Sequence, residues 1–200
     1  MGYPLLAISD RRSLRGLALP AWAATVATAG VAALQLREKD LADAAVWDLA
    51  NAVRAAAPPP AKLLVNGRAD VALTTGADGV HLPADGVPTA AVRGRWGDRL
   101  LIGRSTHDVE EVVVAGGEGA DYVTFGPVFA SPGKGDGVGL AALERVSAVG
   151  VPVLALGGVT AADFRRLAAA GAAGAAGIRL FQDLERLPEV VAAAREAFPA

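Results

Sequence analysis

Short apolar runs alternate with longer, alanine-rich amphipathic stretches along this whole chain, and the alternation repeats eight times. Candidate strands fall at 4–8, 31–37, 62–65, 79–82, 100–104, 121–125, 151–156 and about 175–180. Between them lie stretches with helical spacing, such as "DLADAAVWDLANAVRAAA", "HDVEEVVVAGGEG" and "TAADFRRLAAAGA". Strands separated by helices run parallel, because each right-handed crossover returns the chain to the same end of the sheet. An open, doubly wound sheet obeys the same rhythm. Eight units without a linker or a break in composition favour closure into a single-domain (β/α)₈ barrel over residues 1–200.

Hydrophobic residues make up 52% of the chain, enough for a sizeable core and too many for disorder. A net charge of -2, with no block of basic residues, argues against a nucleic-acid partner. Without cysteine there is no disulfide, thiolate metal site or cysteine nucleophile. The opening "MGYPLLAISDRRS" carries too short an apolar run for a secretory signal. No segment approaches the roughly 20 apolar residues of a membrane span. A cytoplasmic protein with no membrane partner is expected.

Polar residues gather where the strands end. In "LQLREK", Gln35, Arg37 and Lys39 alternate with Leu36 and Glu38, so period-two geometry puts the three on one face. Core positions should be apolar, and this face is therefore expected to look into a wet barrel mouth. Asn66, Gly67 and Arg68 close the third strand, His81 the fourth, and Arg104 and Ser105 the fifth, with His107 just beyond. The sixth runs into "GPVFASPGKGDGVG", a loop of glycines and prolines carrying Ser131 and Lys134, one of only three lysines in the chain. An ammonium there can act as a point charge on phosphate; a surface turn with one solvating lysine reads the same way.

The seventh strand ends in Gly157 and Gly158 ahead of a helix with Thr160 at its N-cap. Bare N–H groups at a helix start form a phosphate site, and barrels often place phosphate after strands seven and eight. Arg179, on the eighth, adds a candidate bidentate contact. His81 sits among apolar neighbours in "DGVHLP", the setting of a packed, hydrogen-bonded residue, and His107 opens a helix. No His/carboxylate spacing suggests a zinc site.

Taken in order, "LQLREK", "ADVALTTGADGVHL", "IGRSTHDVEE", "GADYVTFGPVF" and "VPVLALGGVT" resemble the thiamin phosphate synthase superfamily along nearly the whole chain. The resemblance implies a (β/α)₈ barrel, a small-molecule thiazole phosphate as ligand, and a homodimer. Two activities share that scaffold. One is the synthase, which joins a pyrimidine pyrophosphate to a thiazole phosphate with magnesium. The other is the TenI-type tautomerase, which aromatises a thiazole carboxylate phosphate without metal.

Carried over by position, Gln35, Arg37 and Lys39 match the synthase's pyrophosphate and pyrimidine contacts. Ser105 matches the serine near its diphosphate, Lys134 its loop lysine, and Gly157 and Gly158 its thiazole-phosphate glycines. The metal site departs from the pattern: the synthase's asparagine–aspartate pair falls on Asn66 and Gly67, and its second metal aspartate on Gly86. "NGR", "HLP" and "IGRS" look like the tautomerase branch, whose proposed catalytic histidine falls on Pro127.

The leading expectation is a TenI-type isomerase without a cofactor. Its phosphate would sit on Gly157, Gly158 and the Arg179 turn, its carboxylate would face Arg37 or Arg68, and His107 would carry the proton. The alternative is a thiamine-phosphate synthase, with magnesium, in which Arg37, Lys39 and Lys134 help pyrophosphate leave. A third reading keeps the phosphate cup and has lost the chemistry.

Overall fold

The computed structural model describes residues 4–131, 133 and 135–199. Eight parallel strands close into a barrel in sequence order, the last pairing back with the first. They are β1 (Leu5–Ile8), β2 (Ala33–Leu36), β3 (Lys62–Asn66), β4 (Gly79–Leu82), β5 (Leu101–Thr106), β6 (Tyr122–Phe125), β7 (Val153–Leu156) and β8 (Gly174–Gly177). Around them lie α1 (Leu19–Thr28), α2 (Asp43–Ala56), α3 (Ala69–Thr74) and α4 (Thr89–Trp96). The ring is completed by α5 (Val109–Gly117), α6 (Leu140–Ser147), α7 (Phe164–Ala169) and α8 (Leu187–Ala197). No helix of the described residues is long and apolar enough to cross a membrane.

Period-two alternation sorts each strand between two cores. Residues such as Leu34, Leu36, Val65, Val80, Ile102, Val123 and Val153 face outward and meet the helices. Residues of the other parity, among them Leu6, Ile8, Ala33, Leu64, Tyr122, Leu154 and Ala176, fill the barrel itself. Each helix turns one stripe to the sheet. In α2 the buried residues are Val46, Ala50 and Val53, spaced as one helical face requires.

Ion pairs hold the N-terminal end of the barrel. Asp78 accepts from the Leu63 N–H and pairs with Arg54 and Lys62, each at 2.9 Å. Asp121 accepts from the Ile102 N–H and pairs with Arg93, each at 2.7 Å. A cavity of about 460 Å³ opens there among these charges, which already partner one another. That end belongs to stability rather than to chemistry.

Two expected strands run too far at their C-terminal ends. The second stops at Leu36, leaving Arg37 and Lys39 on the loop above the sheet. The eighth stops at Gly177 instead of reaching 180, and Arg179 stands in a 3₁₀ turn, Arg179–Phe181. The turn is favoured because it buries Phe181 completely and offers its carbonyl to the Trp22 indole N–H at 2.8 Å.

Candidate active site

The inward-facing parity divides the barrel into a dry floor and a polar layer. Leu6, Ala33, Leu64, Leu101, Leu154 and Ala176 form the floor with the Tyr122 ring. Above it, at the C-terminal ends of the strands, Gln35, Asn66, His81, Ser105 and Thr124 follow one another from β2 to β6. The other wall stays apolar, with Ile8, Leu156 and Ile178. Five consecutive strands placing a polar group at one depth are not demanded by folding, since each group must be desolvated.

His81 is the centre of that layer. Its Nδ1 lies 2.9 Å from the Tyr122 hydroxyl, and its Nε2 lies 3.0 Å from Ser105 Oγ and 3.4 Å from Thr124 Oγ1. Burial, then the positive fields of Arg37 and Arg104, push its pKa down to about 3. The imidazole is therefore neutral at physiological pH. Burial also holds the Tyr122 phenol well above its usual range, so it keeps its proton.

Beside it, Gln35 donates from Nε2 to Asn66 Oδ1 at 3.1 Å, while its own Oε1 is buried with no partner. A buried amide oxygen left unpaired is costly unless a ligand supplies the donor. Just above, the half-buried Arg37 guanidinium and the exposed Lys39 ammonium have no partner among the described residues. Glu38, between them, is the residue that sequence reasoning passed over. It is buried, accepts from Ser9 Oγ at 2.7 Å, from the Arg11 N–H at 3.1 Å and from the Arg11 guanidinium at 2.9 Å. Ser9 Oγ in turn accepts from the Arg37 N–H at 2.9 Å. A buried carboxylate thus braces the loop after β1 against the cationic loop after β2. Opposite parity to Arg37 and Lys39 was the available signal.

On the far wall the loops after β6, β7 and β8 meet. Gly157 and Gly158 have φ of +90° and +65°, a region that favours glycine. The loop after β6 crosses them so closely that a Cβ on Gly157 would lie 2.5 Å from Pro127, and one on Gly158 2.5 Å from the Ala130 carbonyl oxygen. The glycines are thus required by loop packing as well as by any ligand. The Gly158 and Val159 N–H groups have no acceptor among the described residues. Arg179 reaches across and donates to Ser131 Oγ at 2.8 Å, which brings two expected phosphate contacts together. Thr160 caps the following 3₁₀ turn in a reciprocal box with Asp163. Only a six-residue helix follows, so the helix dipole adds little to that cup. Lys134 lies outside the described residues.

Three other expected contacts are turned aside. Arg68 is held by Asp43 and Asp70 on the outer side of the rim. Arg104 donates to the Val87 and Ala84 carbonyls at 2.6 and 2.8 Å, pinning the loop after β4. His107 is exposed and faces Glu111, which also accepts from its N–H at 2.7 Å. It precedes α5 rather than opening it, because Asp108 takes the N-cap.

A sequence profile described as thiamine monophosphate synthase matches residues 5–181. This chain belongs to the thiamine monophosphate synthase family. Among its relatives, a thiamine-phosphate synthase of Methanoculleus marisnigri is 41% identical over 181 residues, 88% of this chain and 86% of its own. Another, of Anaeromyxobacter dehalogenans, is 46% identical over 151 residues, 74% of this chain and 68% of its own. A solved thiamine phosphate pyrophosphorylase from Pyrococcus furiosus has the same barrel, with a TM-score of 0.87 at 27% identity over 98% of this chain and 96% of its own.

These relatives overturn the expected tautomerase. Names at this identity and coverage point to the synthase side of the family, and none of these matches carries the isomerase reading. The site agrees in one physical respect. Pro127, on which the tautomerase branch's proposed histidine falls, packs against Gly157 and has no titratable group.

The synthase family's resemblance brought magnesium with it, held by carboxylates at positions 67 and 86. The residues present do not fit that arrangement. Both positions are glycine, and Asp85 is exposed. Among the described residues no cluster of three or more His, Asp or Glu side chains stands ready to hold a metal ion. Magnesium requires hard oxygen ligands, which a glycine side chain cannot supply.

Proposed function

We propose that this chain is a thiamine-phosphate synthase, a transferase that joins a pyrimidine pyrophosphate to a thiazole phosphate. The observation that carries the reading is the unpaired cationic rim of Arg37 and Lys39 directly above a neutral layer that contains a buried, unpartnered Gln35 oxygen. Such a cup suits a ligand with an anionic end and a hydrogen-bond-donating ring. The names of relatives 41% identical over 181 residues and 46% identical over 151 support the same reaction.

In that reaction the bond between the pyrimidine's methylene carbon and the pyrophosphate oxygen breaks. The thiazole nitrogen bonds to the carbon, and the electron pair departs on pyrophosphate. Negative charge therefore builds on the leaving group, and fixed cations near it lower the barrier. Arg37 supplies a rigid fork for phosphate oxygens and Lys39 a mobile point charge. Gln35 Oε1 accepts from the amino group of the pyrimidine. The thiazole phosphate lies against the apolar wall, its phosphate at Gly158, Ser131 and Arg179.

Purified protein given both substrates, with and without added magnesium, tests the reading. Formation of thiamine phosphate is expected. Binding of both substrates with no joined product under either condition would instead mark a binding protein.

A further inference from the structure

Tyr122 lies in the floor, beneath the groups that face the ligands, yet the barrel is shaped around it. A Cβ on Gly103, the neighbouring inward position on β5, would fall within 2.1–2.5 Å of the Tyr122 ring. The absent side chain is the space that lets a phenol lie across the barrel floor with its hydroxyl raised to His81.

The hydrogens of that contact can be assigned by elimination. His81 is neutral and carries one N–H, on Nδ1 or on Nε2. Suppose it were on Nδ1, donated to the phenol oxygen. The Tyr122 hydroxyl hydrogen would then have no acceptor among the described residues, in a floor of leucine and alanine. Ser105 and Thr124 would also compete to donate to one Nε2 lone pair. An orphaned buried donor is the more expensive outcome. With the hydrogen on Nε2, the phenol donates to Nδ1 and Nε2–H donates to Ser105 Oγ. Ser105 then accepts from below, and its own hydrogen is free for the mouth.

We infer that Tyr122 is a positioning residue: through His81 it fixes the direction of the Ser105 hydroxyl, so that this hydroxyl donates to the anionic end of the pyrimidine substrate. The identity of that ligand rests on the synthase reading. The direction of the three hydrogens does not. A serine that accepts from below keeps its one hydrogen for the mouth, whereas a serine that donates to Nε2 would not; the free hydrogen suits an acceptor such as a phosphate oxygen.

Two measurements test this. The chain has two histidines, so nitrogen–proton correlation spectra of wild type and of His107→Gln assign the His81 ring. The ring hydrogen is expected on Nε2; finding it on Nδ1 overturns the inference. Calorimetry with inorganic pyrophosphate reads the consequence. Tyr122→Phe is expected to weaken binding roughly tenfold, the scale of one hydrogen bond to a charged group. Ser105→Ala should lose as much, and the double variant no more than Ser105→Ala alone. Independent, multiplying losses would show that the phenol only packs. Should Tyr122→Phe not fold, the wild-type spectrum still decides the tautomer. If the protein joins no substrates, the synthase reading falls while both measurements keep their meaning.

Discussion

Pro83 occupies the space that a side chain on Gly86 would need: a Cβ built there would lie 2.9 Å from the ring Cγ and Cδ atoms and 3.0 Å from the Pro83 carbonyl oxygen. The departure from the synthase metal site is therefore built into the loop after β4 and is more than an exchange of one residue. At Gly67 the case differs. Its φ is +67°, which Asp tolerates better than most residues, and a Cβ there would meet Pro83 Cδ at an ordinary 3.7 Å. Calorimetry on the ligand-free protein should detect no tight magnesium site. Gly86→Asp alone should destabilise without gaining metal, whereas Gly67→Asp with Pro83→Ala and Gly86→Asp should bind magnesium measurably. Stoichiometric, carboxylate-held magnesium in wild type would refute this.

Arg37 should matter far more than Arg68, though both follow the end of a strand, β2 and β3, in the same part of the barrel. Arg68 is neutralised by Asp43 and Asp70, while Arg37 has no counter-ion among the described residues. Arg37→Met is expected to weaken inorganic pyrophosphate binding by roughly 10- to 100-fold, the scale of charge-assisted hydrogen bonds. Arg68→Met should change it less than about threefold, the scale of an exposed charge acting at a distance. A titration in which the two variants lose equally would show that the rim acts only through its summed charge.

Gly158 carries two burdens that a single substitution exposes. Gly158→Ala would place a methyl group 2.5 Å from the Ala130 carbonyl oxygen on a backbone with φ of +65°. Strain of this kind costs about 1–3 kcal/mol. The melting temperature should fall, and thiazole phosphate affinity should fall with it, because the loop bearing Ser131 is displaced. Arg179→Met separates the two roles, since Arg179 is exposed and touches that loop through one hydrogen bond. It should weaken thiazole phosphate binding with little change in melting temperature.

The barrel was legible because its signal is repeated: eight apolar runs at helix-length spacing leave few other topologies. Ends of elements were less legible. The eighth strand and Arg179 were misplaced because burial of Phe181, some 160 residues from its partner Trp22, decides where that strand stops. Residue types at the mouth could be read from alternation, but not which of them are already occupied. Arg68, Arg104 and His107 look as available in sequence as Arg37 does. Only their distances to Asp70, the Val87 carbonyl and Glu111 show otherwise. Glu38 and Tyr122 act through neighbours brought in by closure of the barrel, and no local pattern announces that.

His81 should make the fold sensitive to mild acid. Its pKa in the folded barrel is pushed down to about 3, first by burial and then by Arg37 and Arg104. In an unfolded chain it is roughly 6.5. Below that value the unfolded chain takes up a proton that the folded barrel refuses, so acid favours unfolding. The His81 contribution is thus intact above about pH 7 and is lost progressively as pH falls from 6.5 toward 3. The slope grows from about 0.7 kcal/mol per pH unit at pH 6.5 toward about 1.4 near pH 5, or about 1.6 kcal/mol in total between pH 6.5 and 5. Carboxylates with lowered values, such as Asp40 beside Arg11 and Asp70 beside Arg68, contribute their losses at lower pH. The window from 6.5 to 5 therefore lies above those carboxylates, and comparison with a His81 variant separates His81 from His107 within it. Urea unfolding should show wild type losing that amount across the window. His81→Gln, less stable at pH 7 for want of its contacts to Tyr122 and Ser105, should be nearly flat. Equal slopes in the two proteins would mean that the His81 site admits water, and with it a proton, in the folded state.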